Sequence, residues 1–477
     1  MFKLPVIGYM PHTQQSQRAE GSSVAGWEPR SLGNPKCVHS RVRSKNKAAL
    51  VTLYLSHLPF HPSCLLGYGT AILAGRYDLE VIDLNAEIYF RNSEKLKKIL
   101  DVMDKSQIVS DALHLYPLYR ELEPHINRYY EAIPWQKYPL VYVTPPSWFP
   151  MVPAEDVLRL SRAIERVSPK TKVFFFGNSL GSWTDEGELR NNGVQPVHVN
   201  DLFAMNATAK PVRYDLLPTP VYEHRDKYLF DLLPFTLKHG CSWGRCSFCS
   251  LSRGWNSGYL ERLPQTVIKE LEALIDRYDP AVLVCRDHSL NGRNLIDFCG
   301  CFERFNKPWC GQSRADLSGK RIQALWKAGC RGIFFGLESG SDRTLLALNK
   351  GITSKQMSDF IKRLHANGIL PAPSLMIGAP GEGRADFQKT IQFLVDHRQY
   401  LELVNVYPFM ATPASELGLR KKRPDGNTSM RLVKFIQTCE DLGLKVVVGE
   451  QSIEYSLFKW IHTRLGSELR KEFSPSS

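Results

Sequence analysis

The sequence predicts an α/β protein, a doubly wound parallel sheet followed by a partial barrel of six strand–helix units. Three observations carry that prediction. Short apolar runs alternate with amphipathic helical stretches, the pattern of parallel sheets covered by helices. The alternation comes in two series, parted by a polar stretch at 205–232 that contains Pro211, Pro218 and Pro220. The chain has 477 residues, 43% hydrophobic and 23% charged, enough for more than one ordinary core.

Residues 1–46 read as a disordered basic tail, polar and without periodicity. The first 48 residues hold eight Lys/Arg against Glu20 and Glu28, so they supply nearly half of the net charge of +13. The remaining excess is mild and reads as solvated surface rather than a nucleic-acid footprint. The eleven cysteines are odd in number and irregular in spacing, which argues against a disulfide framework and fits a reducing, cytoplasmic setting. No apolar run is long enough for a transmembrane helix.

In the first series, Val51–Leu55 reads as a buried strand, Ser63–Ala74 as a helix and Leu79–Leu84 as a second strand. Residues 93–132 read as amphipathic helix. Leu140–Val143 and Val173–Gly177 are further strands around an Ala154–Val167 helix, and Val197–Val199 is a short fifth strand. This is a Rossmann-like arrangement. In the second series, strands are expected at 235–238, 281–285, 308–312, 331–335, 372–377 and 402–406. Helices are expected at 264–277, 292–304, 319–328, 354–366, 384–397 and 428–442. Six such units fall short of a closed eight-fold barrel, and the loops after its strands are where chemistry belongs.

One of those loops reads Gly240-Cys241-Ser242-Trp243-Gly244-Arg245-Cys246-Ser247-Phe248-Cys249. Three thiols within nine residues let one loop hold three corners of an iron–sulfur cubane and leave one iron open to a chelating substrate. The competing reading is structural zinc with His239 or a distant cysteine as fourth ligand, but such sites use four ligands in two separated pairs. Cys299 and Cys301 fall two apart on a predicted helix and do not face each other, so with Cys310 they read as structural thiols. Cys285 lies beside the expected pocket.

Each later strand of the second series ends in Gly and polar residues. They are Cys285-Arg286-Asp287-His288, Gln312-Ser313-Arg314, Gly336-Leu337-Glu338-Ser339-Gly340 and Gly378-Ala379-Pro380-Gly381-Glu382. Together with the thiol loop and Leu348-Asn349-Lys350-Gly351, these strings resemble the radical S-adenosylmethionine (SAM) superfamily over residues 235–415. The commonest form there has three residues in the first gap of the thiol motif, where this chain has four. The resemblance implies a 4Fe-4S cluster on Cys241, Cys246 and Cys249. It implies SAM contacts at Phe248, Ser313, Arg314, Glu338, Gly378 and Ala379. Asp287 and Glu382 are weaker candidates, each as readily a turn or helix-start acid.

The implied reaction is reductive cleavage of SAM to a 5′-deoxyadenosyl radical that takes hydrogen from a small-molecule or peptide substrate. A reducing partner such as flavodoxin or ferredoxin is implied with it; the catalytic residues on the substrate are not read. The doubly wound domain is similar to that of the cobalamin-binding group of this superfamily, through Pro59–Gly69 and Val81–Asn85. The D-x-H-x-x-G motif is absent, which leaves cobalamin, and with it C-methylation, open. An RNA-modifying member of the superfamily and a non-catalytic metal-binding protein are the alternatives. The expected plan is tail 1–46, cobalamin-binding-type domain 47–204, linker 205–232, radical SAM partial barrel 233–415 and a helical extension 416–477.

Overall fold

The computed structural model describes residues 45–55, 57–146, 152–177, 180, 184–197, 217–252, 259–420 and 427–465. The basic tail up to residue 44, the end of the short fifth strand and the first half of the expected linker lie outside them. Fifteen strands are described: β1 (Lys47–Thr52), β2 (Asp78–Asp83), β3 (Ile108–Ser110), β4 (Leu140–Thr144), β5 (Lys172–Phe176), β6 (Val194–Val197), β7 (Leu232–Phe235), β8 (Lys238–His239), β9 (Leu260–Glu261), β10 (Val282–Cys285), β11 (Trp309–Ser313), β12 (Cys330–Glu338), β13 (Leu370–Ile377), β14 (Leu403–Pro408) and β15 (Lys445–Val448).

The first sheet is all-parallel in the order β2-β1-β4-β5-β6. The direction of winding reverses between β1 and β4, and the loops leaving those two strands flank the crevice where doubly wound sheets bind ligands. The helix Cys64–Ala74 packs on one face, capped by the Ser63 hydroxyl, which accepts from the Leu65 amide.

The second sheet runs β3-β15-β14-β13-β12-β11-β10-β7, again parallel. Five of the six expected strands are present within about three residues, the first lies earlier, at Leu232–Phe235 rather than 235–238, and the sheet extends beyond them. Lys445–Val448, inside the expected helical extension 416–477, is a strand. Its apolar run of three valines, Val446–Val448, is too short to stand out between Lys445 and Glu450. Ile108–Ser110 interrupts the stretch 93–132 and leaves the first sheet to pair with β15. That pairing joins residues more than three hundred apart, so no local pattern records it.

The second half of the expected linker is also corrected. The Leu229 and Phe230 amides donate to the carbonyls of Pro59 and Phe60, and the Val221 amide donates to Gly67. Tyr222, Leu229 and Phe230 are buried. This stretch is part of the core.

Side chains of the second sheet alternate between two environments. Leu283, Ile333, Phe335, Leu375, Ile377, Val404 and Val406 face the outer helices. Val282, Val284, Cys310, Leu370, Ala372, Leu403 and Val447 face inward, into the core shared with Ile453, Leu457 and Ile461 of the helix Glu450–Leu465. This last helix lies against the inner face of the barrel. A Cβ at Gly332 would stand 2.8 Å from Leu457 Cδ1. The helix start is tied by Asp111, whose carboxylate accepts from the Gln451 and Ser452 amides, an N-cap supplied from the turn after β3. Phe60, Phe230, Tyr455 and Phe458 form an aromatic cluster between the β1 loop and the same helix.

Two substitutions test the plug. Leu457→Ala and Ile461→Ala should each cost about 2–5 kcal/mol through lost burial and a residual cavity. Leu346→Ala, at an exposed leucine, should fall within about 0.5 kcal/mol. Urea unfolding of the full chain measures all three; equal midpoints would show that the helix contributes no core.

Candidate active site

The thiol loop leaves the sheet through β8, which pairs antiparallel with β9. Gly240 and Gly244 take positive φ, and the Cys249 amide donates to the Cys246 carbonyl at 3.2 Å. All three cysteines are partly exposed and free of disulfides. Among the described residues no three His, Cys, Asp or Glu side chains gather as they would around a single metal ion.

The loop is pinned from two sides. On one, the turn 347–351 accepts Trp243 Nε1 at the Asn349 carbonyl (3.0 Å) and the Ser247 amide at the Leu348 carbonyl (3.0 Å), while Asn349 Nδ2 donates to Arg245 (2.8 Å). Gly351 must be glycine: at φ +67 its Cβ would come within 2.2 Å of the Trp243 ring. On the other side, Thr412 donates through its amide (3.0 Å) and hydroxyl (3.2 Å) to the Phe248 carbonyl, and the Leu417 amide donates to Ser247.

Glu338 and Lys350 sit behind the cysteines. Glu338 ends β12 at a bulge, with φ +62, and both side chains are 8% exposed. Lys350 Nζ donates to Glu338 Oε1 at 2.6 Å. Burial works against the Lys350 charge, but Glu338 and then Cys246 outweigh it and raise the ammonium's pKa. Arg314 reaches the same place: Nη2 donates to the Lys350 carbonyl (2.9 Å), Nε to Asp316 (3.1 Å), and the guanidinium lies 4.8 Å over Trp243. Burial raises the Cys246 thiol and pushes Cys249 up to about 12; Lys350 pulls both back. Metal binding, which takes the thiolate, works in the same direction as these cations.

The expected contacts thus divide. Phe248, Arg314 and Glu338 converge around Lys350, whose Nζ is 6.0 Å from the Phe248 ring centroid. Ser313 stands one step behind them, its hydroxyl 2.9 Å from Asn291 Oδ1 and 2.8 Å from the Arg314 carbonyl. Ala379 is fully buried in a cluster with Leu348, Met376 and Phe409, against which Phe248 packs. Gly378 gives its amide to Glu382 Oε2 at 2.7 Å, and a Cβ there would overlap Thr428. Glu382 therefore closes the turn after β13, with Arg431 beside it. Asp287 is apart from this group. It accepts from the Leu237 and Lys238 amides at the β7–β8 junction, and burial raises its carboxyl to about 6.

Residue-by-residue reading missed Lys350, Asn349, Asn291 and Thr412. The first two lie in a quoted motif, so a signal for them existed. Asn291 Oδ1 accepts from Ser289, Ser313 and the Arg314 amide, in a loop with no motif of its own.

Residues 236–394 match the radical SAM superfamily. The chain is 27% identical over 371 residues to an uncharacterised methyltransferase of Pyrococcus horikoshii, spanning 73% of this chain and 76% of the relative. A tRNA-2-methylthio-N(6)-dimethylallyladenosine synthase of Moorella thermoacetica is 25% identical over 195 residues, 37% of this chain and 42% of that protein. Among solved structures, the radical SAM methyltransferase TsrM of Kitasatospora setae, with cobalamin and a [4Fe-4S] cluster bound, superposes with a TM-score of 0.55 at 14% identity, over 79% and 77% of the two chains. The same enzyme with tryptophan and a SAM analogue gives 0.56 at 15% identity, over 79% and 76%. The matched segment holds the thiol loop and the Glu338–Lys350 pair, so residues 236–394 are similar to the radical SAM superfamily in both sequence and site, and the chain as a whole shares the fold of that methyltransferase.

Proposed function

We propose that the chain is a cobalamin-dependent radical SAM methyltransferase acting on a small molecule. The carrying observation is the thiol loop pinned beside Arg314, Lys350 and Glu338, in a chain whose first sheet has a ligand crevice with orphaned hydroxyls. Three free thiols on one loop, faced by two buried cations, suit three corners of a 4Fe-4S cluster. Cys241, Cys246 and Cys249 would hold it. Arg314, Lys350 and Glu338 would receive the polar groups of SAM, with Phe248 as an apolar wall.

The crevice of the first sheet supports the second cofactor. Thr52 and Thr144 are register neighbours at the ends of β1 and β4, and both are buried. Neither Oγ1 has a hydrogen-bond partner among the described residues. Two orphaned hydroxyls at a reversal of winding fit a polar ligand seated there. When bound, the cluster supplies one electron to the sulfonium and cobalamin a methyl carrier. The protein's own part is to hold the ligands and to exclude water with the buried inner core of the barrel.

An RNA-modifying reading has less support. The relatives that suggest it match over less than half of this chain. Methylthiotransferases of that type are expected to carry three further N-terminal cysteines, whereas only Cys37 and Cys64 precede the loop. Cys64 is buried in the core, and burial raises its thiol.

Three outcomes test the proposal. Anaerobically reconstituted protein should cleave SAM under a strong reductant and release 5′-deoxyadenosine or S-adenosylhomocysteine, with iron–sulfur absorbance that Cys246→Ala loses. The double substitution Thr52→Val with Thr144→Val should lower corrin absorbance at least about fivefold, from about 0.5–1.5 kcal/mol per lost hydrogen bond, while iron content stays unchanged. Equal corrin content would place cobalamin elsewhere. Lys350→Met should cost about 3–5 kcal/mol by leaving Glu338 as a buried unpaired charge. Adding Glu338→Gln should restore part of that stability without restoring SAM binding.

A further inference from the structure

The inner face of the barrel turns polar where the last helix begins. Along β14, Leu403, Asn405 and Tyr407 alternate with the outward Val404 and Val406. Along β10, Val282 and Val284 point inward, and the same alternation carries Arg286, just past the strand end, to that side. Glu450 and Glu454 come from the first turns of the last helix. Four residues apart, they share one face, where two like charges destabilise a helix. One guanidinium answers them: Arg286 bonds and pairs with Glu454. Glu450 makes no ion pair of its own among the described residues and feels Arg286 only at longer range.

A second feature of the same layer points to a ligand. Asn405 is fully buried; its amide nitrogen lies against the Tyr407 hydroxyl, and its amide oxygen has no hydrogen-bond partner among the described residues. Its polar neighbour is Tyr407, which lies in the field of Glu450 and Glu454. A buried amide left unsatisfied costs about 1–3 kcal/mol unless something supplies its partners.

We propose that Glu450, Asn405 and Tyr407, with the Arg286–Glu454 pair beside them, form the substrate seat, and that it takes a small molecule through a positively charged amino group. The ammonium supplies an ion-pair partner for Glu450 and a donor for the Asn405 oxygen. This assignment deepens the methyltransferase reading and rests on it for the word substrate; the binding chemistry stands on the layer itself.

The charge environment is consistent from every side. Glu450 is raised to about 7 by burial first, then by Glu454 and Asp111, against Arg286. Asp111, from the turn after β3, is raised to about 6 by burial. His57 and His61, on the loop after β1, are lowered to about 4 by burial, so both are neutral near pH 7 and bring no competing cation. An ammonium in the seat favours the ionised Glu450. Amine binding should therefore strengthen as pH rises through about 7, and at pH 7 it should expel up to about half a proton.

Calorimetry on the full-length chain, before any cofactor is loaded, tests this with butylamine and benzylamine against butanol and benzyl alcohol. The wild type should bind the amines at least about tenfold tighter than the alcohols, equivalent to about 1.4 kcal/mol. Glu450→Gln should abolish the preference, while Glu123→Gln, at a partly exposed glutamate on the first-sheet side, keeps it. Independently of how Glu450→Gln folds, the wild type carries a readout of its own: binding enthalpies at pH 7 in buffers of different ionisation heat should reveal the expelled proton. Equal affinity for amines and alcohols, a preference that survives Glu450→Gln, or binding without proton release would overturn the seat. An amine preference in protein that does not cleave SAM would uphold the seat and sink the enzymatic reading.

Discussion

The buried pair of Lys350 and Glu338 is the constraint on which the thiol loop depends. Moving one ion into a protein interior costs several kcal/mol, so each of these groups holds its place only while the other is there. The pair also fixes backbone. Glu338 turns inward through a left-handed bulge, and Gly336 is required beside it, since a Cβ would come within 2.0 Å of Glu338 Oε1. At the other end, the turn that presents Lys350 also presents Leu348 and Asn349 to the thiol loop and a carbonyl to Arg314. One ion pair thus joins the end of a strand, a turn and the cysteines into a single unit. The strings Gly-Leu-Glu-Ser-Gly and Asn-Lys-Gly then have physical reasons residue by residue.

A second constraint is the open interior of a partial barrel. A sheet that does not close leaves apolar inward residues and an edge strand exposed. The chain covers both with its own remote segments. The last helix supplies Ile453, Leu457 and Ile461 to the inner face, and β3 extends the sheet beyond β15. Asp111 stands directly after β3 and caps that helix, so the two devices are coupled. The core of the first sheet therefore runs without a break into the interior of the second.

What could be read from the chain follows from the range of each interaction. Helices with strong periodicity, such as Ala154–Val167 and Ser354–Ala366, were legible to within a residue because their determinants lie inside them. The cysteine loop was legible because close spacing is itself the chemistry. The strand Lys445–Val448 and the strand Ile108–Ser110 were not, because short runs owe their state to a partner far along the chain. The same distinction separates the site residues. Arg314 and Glu338 lie at strand ends that the alternation marks. Asn291 and Thr412 act through loops whose geometry only the assembled fold defines. Glu450 and Glu454 were unreadable as site residues, since a charged helix start is ordinarily solvated; their meaning comes from the barrel wall they face.

The arrangement also sets an electrical polarity inside the barrel. Near the cysteines Lys350 and Arg314, paired with Glu338 and Asp316, stand closest to the thiols and favour the Cys246 thiolate against burial. At the start of the last helix, among the described residues, Glu450, Glu454 and Asp111 stand against the one guanidinium of Arg286. Low-dielectric surroundings lengthen the reach of both charges. A molecule with a cationic end and a neutral reacting carbon would be oriented by this field before any shape fit, amino group toward the helix and the remainder toward the thiol loop. Reversing it would place an ammonium beside Lys350 and Arg314, a like-charge contact that costs several kcal/mol. Orientation of the reacting carbon would thus come from the same helix that fills the barrel, which gives the last sixteen described residues a chemical role as well as a structural one.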